Sequence, residues 1–290
     1  MHKPPESPQT LSIWRRLTNH TATGFAMVAA VLVIVPLLAI FVDLVMKGAS
    51  SFNLAFLTQT PKPPGEVGGG MANAIVGTGL ILVVASVLGL PLGIGCGIYL
   101  AEYGRGRSGD LIRFTADVLN GIPSIVIGMA VYGLIVHRQK HFSAFSGGVA
   151  LGIMMIPTIA RATEEMLLMV PNVVREAALG LGIPKWRTAL SITLRTASAG
   201  VITGCMLAFA RVAGETAPLL FTAFGNQFWN LKLNQPTAAL ALQVYTYGLS
   251  PYDDWHKQAW TGALILIVMI VGAVAAVRIV TSRGKLKGAS

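Results

Sequence analysis

The sequence predicts an all-α polytopic membrane protein of about six transmembrane helices, with both termini in the cytoplasm. Three observations lead there. Only 12% of the 290 residues are charged, about half the share found in soluble domains. Hydrophobic residues make up 53%, and mean hydropathy is +0.65. The apolar residues fall into long runs, and a bilayer-spanning helix needs about 20 of them. A soluble fold of this length cannot hide so much apolar surface, and intrinsic disorder requires low hydrophobicity.

The runs follow in order. The first covers residues 25–46 and has a basic flank, Arg15 and Arg16. It is too long for the apolar stretch of a signal peptide and lacks a small-residue cleavage site, so it reads as a retained anchor. Residues 48–71 hold Pro61, Pro63, Pro64 and three consecutive glycines from Gly68, and read as an irregular external loop. Further spans are expected at 73–100, 111–136, 145–159, 197–224 and 259–280. The fourth is short. Pro36, Pro91, Pro123, Pro157 and Pro218 fall inside spans, and Gly89, Gly93, Gly95 and Gly97 crowd the second. Two readings apply: close helix packing on small residues, or kinked helices that line a cavity. Residues 225–258 form a second external stretch with Phe228, Trp229, Tyr245, Tyr247 and Trp255, and with Trp260 just beyond. Such aromatics suit a water–lipid interface or a docking surface.

The formal charge is +10. In a soluble chain that would suggest nucleic acid; in a membrane protein it first reports topology. One side receives Lys3, Arg15, Arg16, Arg105, Arg107, Arg113, Arg161, Arg175, Lys185, Arg187, Arg195, Arg278, Arg283, Lys285 and Lys287. The other receives Lys47, Lys62, Arg138, Lys140, Lys232 and Lys257. The richer side is the cytoplasm. No nucleic-acid partner is expected, and the bilayer is the surrounding phase. Cys96 and Cys205 lie in apolar runs and suggest neither a disulfide framework nor a zinc site. His137 and His141 lack a neighbouring carboxylate or thiol and read as part of a solvated basic loop. No metal site and no catalytic constellation is expected. No Walker A loop is present in the sequence.

The most informative stretch is cytoplasmic. In it, Arg175, Glu176, Ala177, Ala178, Leu179, Gly180 and Leu181 favour a short helix, and Gly182 with Ile183 and Pro184 stops it. It resembles the EAA loop of ABC-importer permeases. Glu176, Ala177, Ala178 and Gly182 match that pattern, and Ile192 and Leu194 follow at the family spacing. Arg195 stands where the family has proline. The resemblance implies a MetI-like type I core over 71–281, preceded by a cytoplasmic tail, one helix and a loop over 1–70, and followed by a tail over 282–290. It also implies that Glu176, Ala177, Ala178 and Gly182 couple the chain to a separate ATPase. The chain would then bind no cofactor of its own, ATP being used by that partner, and would be no enzyme.

Three further stretches resemble permeases of the phosphate-specific importer, the PstA family more than the PstC family. One runs from Asn120 through Gly121, Ile122, Pro123 and Ser124 to Gly128. The second contains Arg211, Gly214, Glu215, Thr216, Ala217 and Pro218. The third holds Asn226, Gln227, Phe228, Trp229 and Asn230, with Ser250, Pro251 and Tyr252 later. The implied partners are a PstC-like second permease, a PstB-like ATPase dimer and a PstS-like phosphate-binding protein outside a bacterial plasma membrane. The alternatives are another oxyanion, sulfate or molybdate, or the PstC-type role itself.

An ionisable residue inside a span needs a partner or a watery path. Arg211 and Glu215 are four apart, which puts them on one helical face. They are expected to pair, and Arg211 is the candidate for contact with the anion, because a guanidinium stays charged and binds oxyanions through paired hydrogen bonds. Asp117 is a second pathway candidate, or pairs with Arg113 four residues earlier. Ser124, Thr216 and Thr222 offer hydroxyls to the anion, or bond back to their own helix. Asp43, near the outer end of the first span, is expected to snorkel.

Overall fold

The computed structural model describes residues 13–286. Lys3 and Lys287, which enter the charge asymmetry, lie outside the described residues, as do the side chains of Arg16, Arg283 and Lys285. The chain divides into two compact units, 1–47 and 48–290.

The first unit is dominated by helix α1 (Ile13–Ser50), whose last residues belong to the second unit. The helix runs past Pro36 without interruption, and its apolar side chains are exposed along most of its length. Lys47 Nζ donates to Asp43 Oδ2 at 2.7 Å, one helical turn away, so Asp43 is paired within its own helix.

The second unit begins with a short α2 (Leu54–Thr58), capped by Asn53, whose Oδ1 accepts from the Phe56 amide at 2.8 Å. Helix α3 (Ala72–Glu102) follows, then α4 (Arg107–Gly121) and α5 (Ser124–Val131). A π-helical turn (Tyr132–Val136) carries α5 into α6 (His137–Gln139). Next come α7 (Ala144–Leu168) and the short α8 (Asn172–Gly180). Helix α9 (Lys185–Arg187) enters α10 (Leu194–Ala213) through a second π turn (Thr188–Thr193). The chain ends in α11 (Ala217–Thr222), α12 (Leu240–Gly248) and α13 (Asp253–Leu286). Among the described residues, five helices are long and apolar enough to cross a membrane, and a sixth crossing results when the bent pair α4 and α5–α6 counts as one.

The core is built on α3 against α7. A Cβ added to Gly93 would stand 2.7 Å from Ile159 Cβ, and one on Gly97 would stand 2.5 Å from Thr163 Cβ. These glycines therefore serve close packing. Ile81, Ala85, Leu151, Met155 and Ile159 fill that seam, and Ala208, Val212 and Leu219 join it from α10 and α11. A second cluster gathers Phe56, Met71, Leu240, Tyr247 and Ile265. In it Tyr247 is buried and stacks on Trp255 with ring centroids 4.2 Å apart. These two aromatics join α12 to α13, whereas Phe228, Trp229 and Tyr245 are exposed.

Three spans differ from their sequence-based outlines at a proline, while α1 and α13 run beyond the apolar stretches expected at 25–46 and 259–280. The third, expected as one helix over 111–136, is broken: α4 and α5 meet at 102°. A residue before proline is pushed out of the α region, and Ile122 accordingly sits at φ −72°, ψ 132°. The fifth, expected over 197–224, stops at Ala213, and α11 restarts at Ala217. Pro218 lies in the first turn of α11, where its missing N–H breaks no helical bond. The fourth is longer than expected, because α7 continues past Pro157 to Leu168. Pro91 is likewise held inside α3.

Candidate functional site

Two breaks face one another in the fold. Helices α5 and α11 pack where Gly128 meets Pro218: a Cβ on Gly128 would lie 2.6 Å from Pro218 Cα. Ser124 is the first residue of α5, one turn before that contact. Thr216 precedes α11, and its carbonyl accepts from the amides of Leu219 and Leu220. The side chains of Ser124 and Thr216 make no hydrogen bond to described residues and are half-exposed. Both residues thus flank one helix–helix contact, Ser124 at the start of α5 and Thr216 before α11. Thr222 differs. Its buried hydroxyl bonds back to Pro218 O at 2.8 Å, the self-satisfied alternative.

Arg211 stands in the last turn of α10 and is exposed. The expected Arg211–Glu215 ion pair is not formed among the described residues. The reason is local. The spacing puts two side chains on one face only if the helix is continuous, and α10 ends at Ala213, with Glu215 in the link to α11. Both side chains are left open to other partners.

Asp117 is not brought to this break. It is bound by Arg161 Nε at 3.1 Å, and not by Arg113. Arg113 reaches Glu164 Oε1 at 2.6 Å, Asp110 Oδ1 at 3.1 Å and the carbonyl of Leu100. Arg161 Nη1 holds the other Glu164 oxygen at 2.9 Å. Glu164, 3% exposed, is thereby compensated from both sides, as a buried carboxylate must be.

The same basic end carries the EAA-like segment. Helix α8 exposes Glu176 and Ala177 and buries Ala178. It closes in a Schellman motif: the Gly182 amide donates to Leu179 O at 2.9 Å and the Ile183 amide to Ala178 O at 3.1 Å. Gly182 takes φ +77°, a left-handed conformation that side chains disfavour. Sequence reasoning missed the residue that fixes this helix. Arg175 Nε reaches the buried Glu102 at 2.9 Å, while Nη1 and Nη2 donate to the carbonyls of Val170 and Leu167, both at 2.6 Å. One guanidinium so ties α8 to the ends of α3 and α7. The available signal was Glu102, a lone carboxylate closing an apolar span and requiring a cation.

The family described as "Binding-protein-dependent transport system inner membrane component" matches residues 93–284. Among curated proteins, the chain is 43% identical over 267 residues to the phosphate transport system permease protein PstA of Yersinia pestis, covering 92% of this chain and 90% of that protein. It is 44% identical over 274 residues to PstA of Xylella fastidiosa (strain 9a5c), covering 94% and 95%.

The chain belongs to the PstA family of binding-protein-dependent permeases.

PstA 1 of Mycobacterium tuberculosis (strain H37Rv) is more distant from the permease, at 36% identity over 281 residues. Among solved structures, an inward-facing conformation of the MetNI methionine ABC transporter aligns with a TM-score of 0.53 at 20% identity. That alignment covers 72% of the permease and 92% of the transporter chain. The MetI-like fold expected from the EAA-like loop is therefore present.

Proposed function

We propose that the permease forms one half of the translocation pathway of an ATP-driven importer of inorganic phosphate. Two interrupted helices that meet at Gly128 and Pro218, with the exposed, unpaired Arg211 at the end of α10 beside one interruption, carry this reading. Breaks in membrane helices free backbone groups and place helix ends where a substrate can use them. Phosphate carries about one to two negative charges at neutral pH, and an arginine binds its oxygens through paired, charge-assisted hydrogen bonds. Ser124 and Thr216 supply neutral donors, and Glu215 limits how tightly an anion is held. Asp117, engaged by Arg161, acts at the inner mouth.

The name shared by the relatives supports phosphate as the cargo. The charge asymmetry supports a cytoplasmic placement of both ends in a bacterial plasma membrane. A PstC-like permease completes the pathway. A PstS-like protein delivers phosphate from outside, and a PstB-like ATPase dimer binds α8 through Glu176, Ala177, Ala178 and Gly182. ATP belongs to that dimer, and this chain makes no covalent bond. ATP drives transport to the extent that its affinity differs between the inward-open and outward-open states.

Radiolabelled phosphate uptake by the assembled importer tests the reading. Arg211→Ala is expected to lower uptake by at least about tenfold while the complex still assembles. Uptake at the unaltered rate would refute the role of Arg211. Competition by sulfate or molybdate as strong as by unlabelled phosphate would refute the cargo.

A further inference from the structure

An apolar groove runs between α3, α10 and α13, away from the break. Its inner part has a volume of about 390 Å³ and is lined by Leu90 and Ile94 of α3, Cys205 and Met206 of α10, and Val274 and Val277 of α13. From Ser86 to Ile94 it extends along eight residues of α3, about 12 Å at 1.5 Å per residue. That depth is close to one leaflet of a hydrocarbon core roughly 30 Å thick. Its lining is almost wholly apolar, as a hydrocarbon chain requires.

Two cations stand below this slot. Arg195 precedes the lining residue Ile202 by seven positions, two helical turns, so it lies on the same face of α10, about 10 Å nearer the basic end. Arg278 follows Val274 by four positions and shares its face of α13. Both side chains are exposed, and neither has a carboxylate partner among the described residues. Arg195 is also the residue that departs from the EAA-loop pattern, where proline is usual. A basic pocket between spans at the cytoplasmic side suits an anionic headgroup.

We infer that this groove is a binding site for an anionic glycerophospholipid of the inner leaflet. One acyl chain fills the slot between α3, α10 and α13. The phosphate is held between Arg195 and Arg278. The assignment of leaflet rests on the cytoplasmic placement of the basic end proposed above; the assignment of ligand does not depend on the transported anion.

The test uses the purified full chain in detergent with phosphatidylglycerol bearing a photoactivatable diazirine on one acyl chain, and with the matching phosphatidylcholine. Phosphatidylglycerol is expected to label peptides containing Cys205 and Val274 many times more strongly than phosphatidylcholine does. Arg195→Ala combined with Arg278→Ala is expected to lower that labelling by about thirtyfold, at roughly one charge's attraction per arginine. Arg195→Lys with Arg278→Lys is expected to keep most of it. Equal labelling by the two lipids, or no groove labelling by either, would overturn the site. Undiminished phosphatidylglycerol labelling in an alanine pair that melts at the unaltered temperature would overturn it too. A failure of phosphate selectivity in the uptake assay would leave these results standing.

Discussion

At the scale of single residues, two glycines are constrained for different reasons. Gly182 is held at φ +77° by the turn that ends α8. A β-branched side chain there costs about 1–2 kcal/mol, whereas asparagine tolerates the conformation. Gly182→Val is therefore expected to weaken stimulation of the partner ATPase with the chain still present in the membrane, and Gly182→Asn to keep most of it. ATP hydrolysis by the reconstituted complex reads the difference. Gly128 is constrained by space, since a Cβ would stand 2.6 Å from Pro218 Cα. Gly128→Leu is expected to separate α5 from α11 and reduce the amount of folded chain, measured by gel filtration of the extracted protein. Gly182 was legible in the sequence, because a motif at fixed spacing announced it. The Arg211–Glu215 pair was misread, because spacing alone presumes a helix that Gly214 and Pro218 interrupt. Arg175 was missed, because its carboxylate partner lies 73 residues earlier and only folding brings them together.

Elements explain why some prolines break a helix and others do not. Pro91 lies between Gly89 and Gly93 yet remains inside α3, because α7 packs along that stretch and holds the helix through its weak point. Pro123 follows an extended Ile122, and there the chain turns through 102°. Local composition is similar at both sites, so the sequence left the two readings of each proline open. The positions of the spans were legible from hydropathy, but their continuity was not, since continuity depends on the neighbour. Helix α8 follows the same rule. It has nine residues, too few to be stable alone, and Arg175 anchors it to α3 and α7. Removing that guanidinium leaves Glu102 buried without a partner, at a cost of about 3–5 kcal/mol. Arg175→Ala is expected to lower the melting temperature of the purified chain more than the double change Arg175→Ala/Glu102→Leu does. If the two changes prove additive, the anchoring role is wrong.

At the scale of the whole molecule, the two ends are chemically distinct. One gathers Glu102, Arg113, Arg161, Glu164 and Arg175, and the other gathers the α7 start with the segment after α11. With the charge asymmetry, this predicts that a cysteine placed at Trp186 in a chain lacking Cys96 and Cys205 reacts with an impermeant maleimide only from the cytoplasm. One placed at Gln227 should react only from outside. Labelling of intact cells against inverted vesicles checks both. The bend between α4 and α5 has a mechanical consequence as well. Only Ser124–Gln139, 16 residues, continues past it, which is about 24 Å of helix in a hydrocarbon layer roughly 30 Å thick. The membrane must dimple there, or α4 must sink in to make up the difference, and either response carries an elastic cost that grows with mismatch. Transport should therefore slow in bilayers built from long acyl chains and recover in shorter ones, so that hydrophobic thickness becomes a control on the importer's rate.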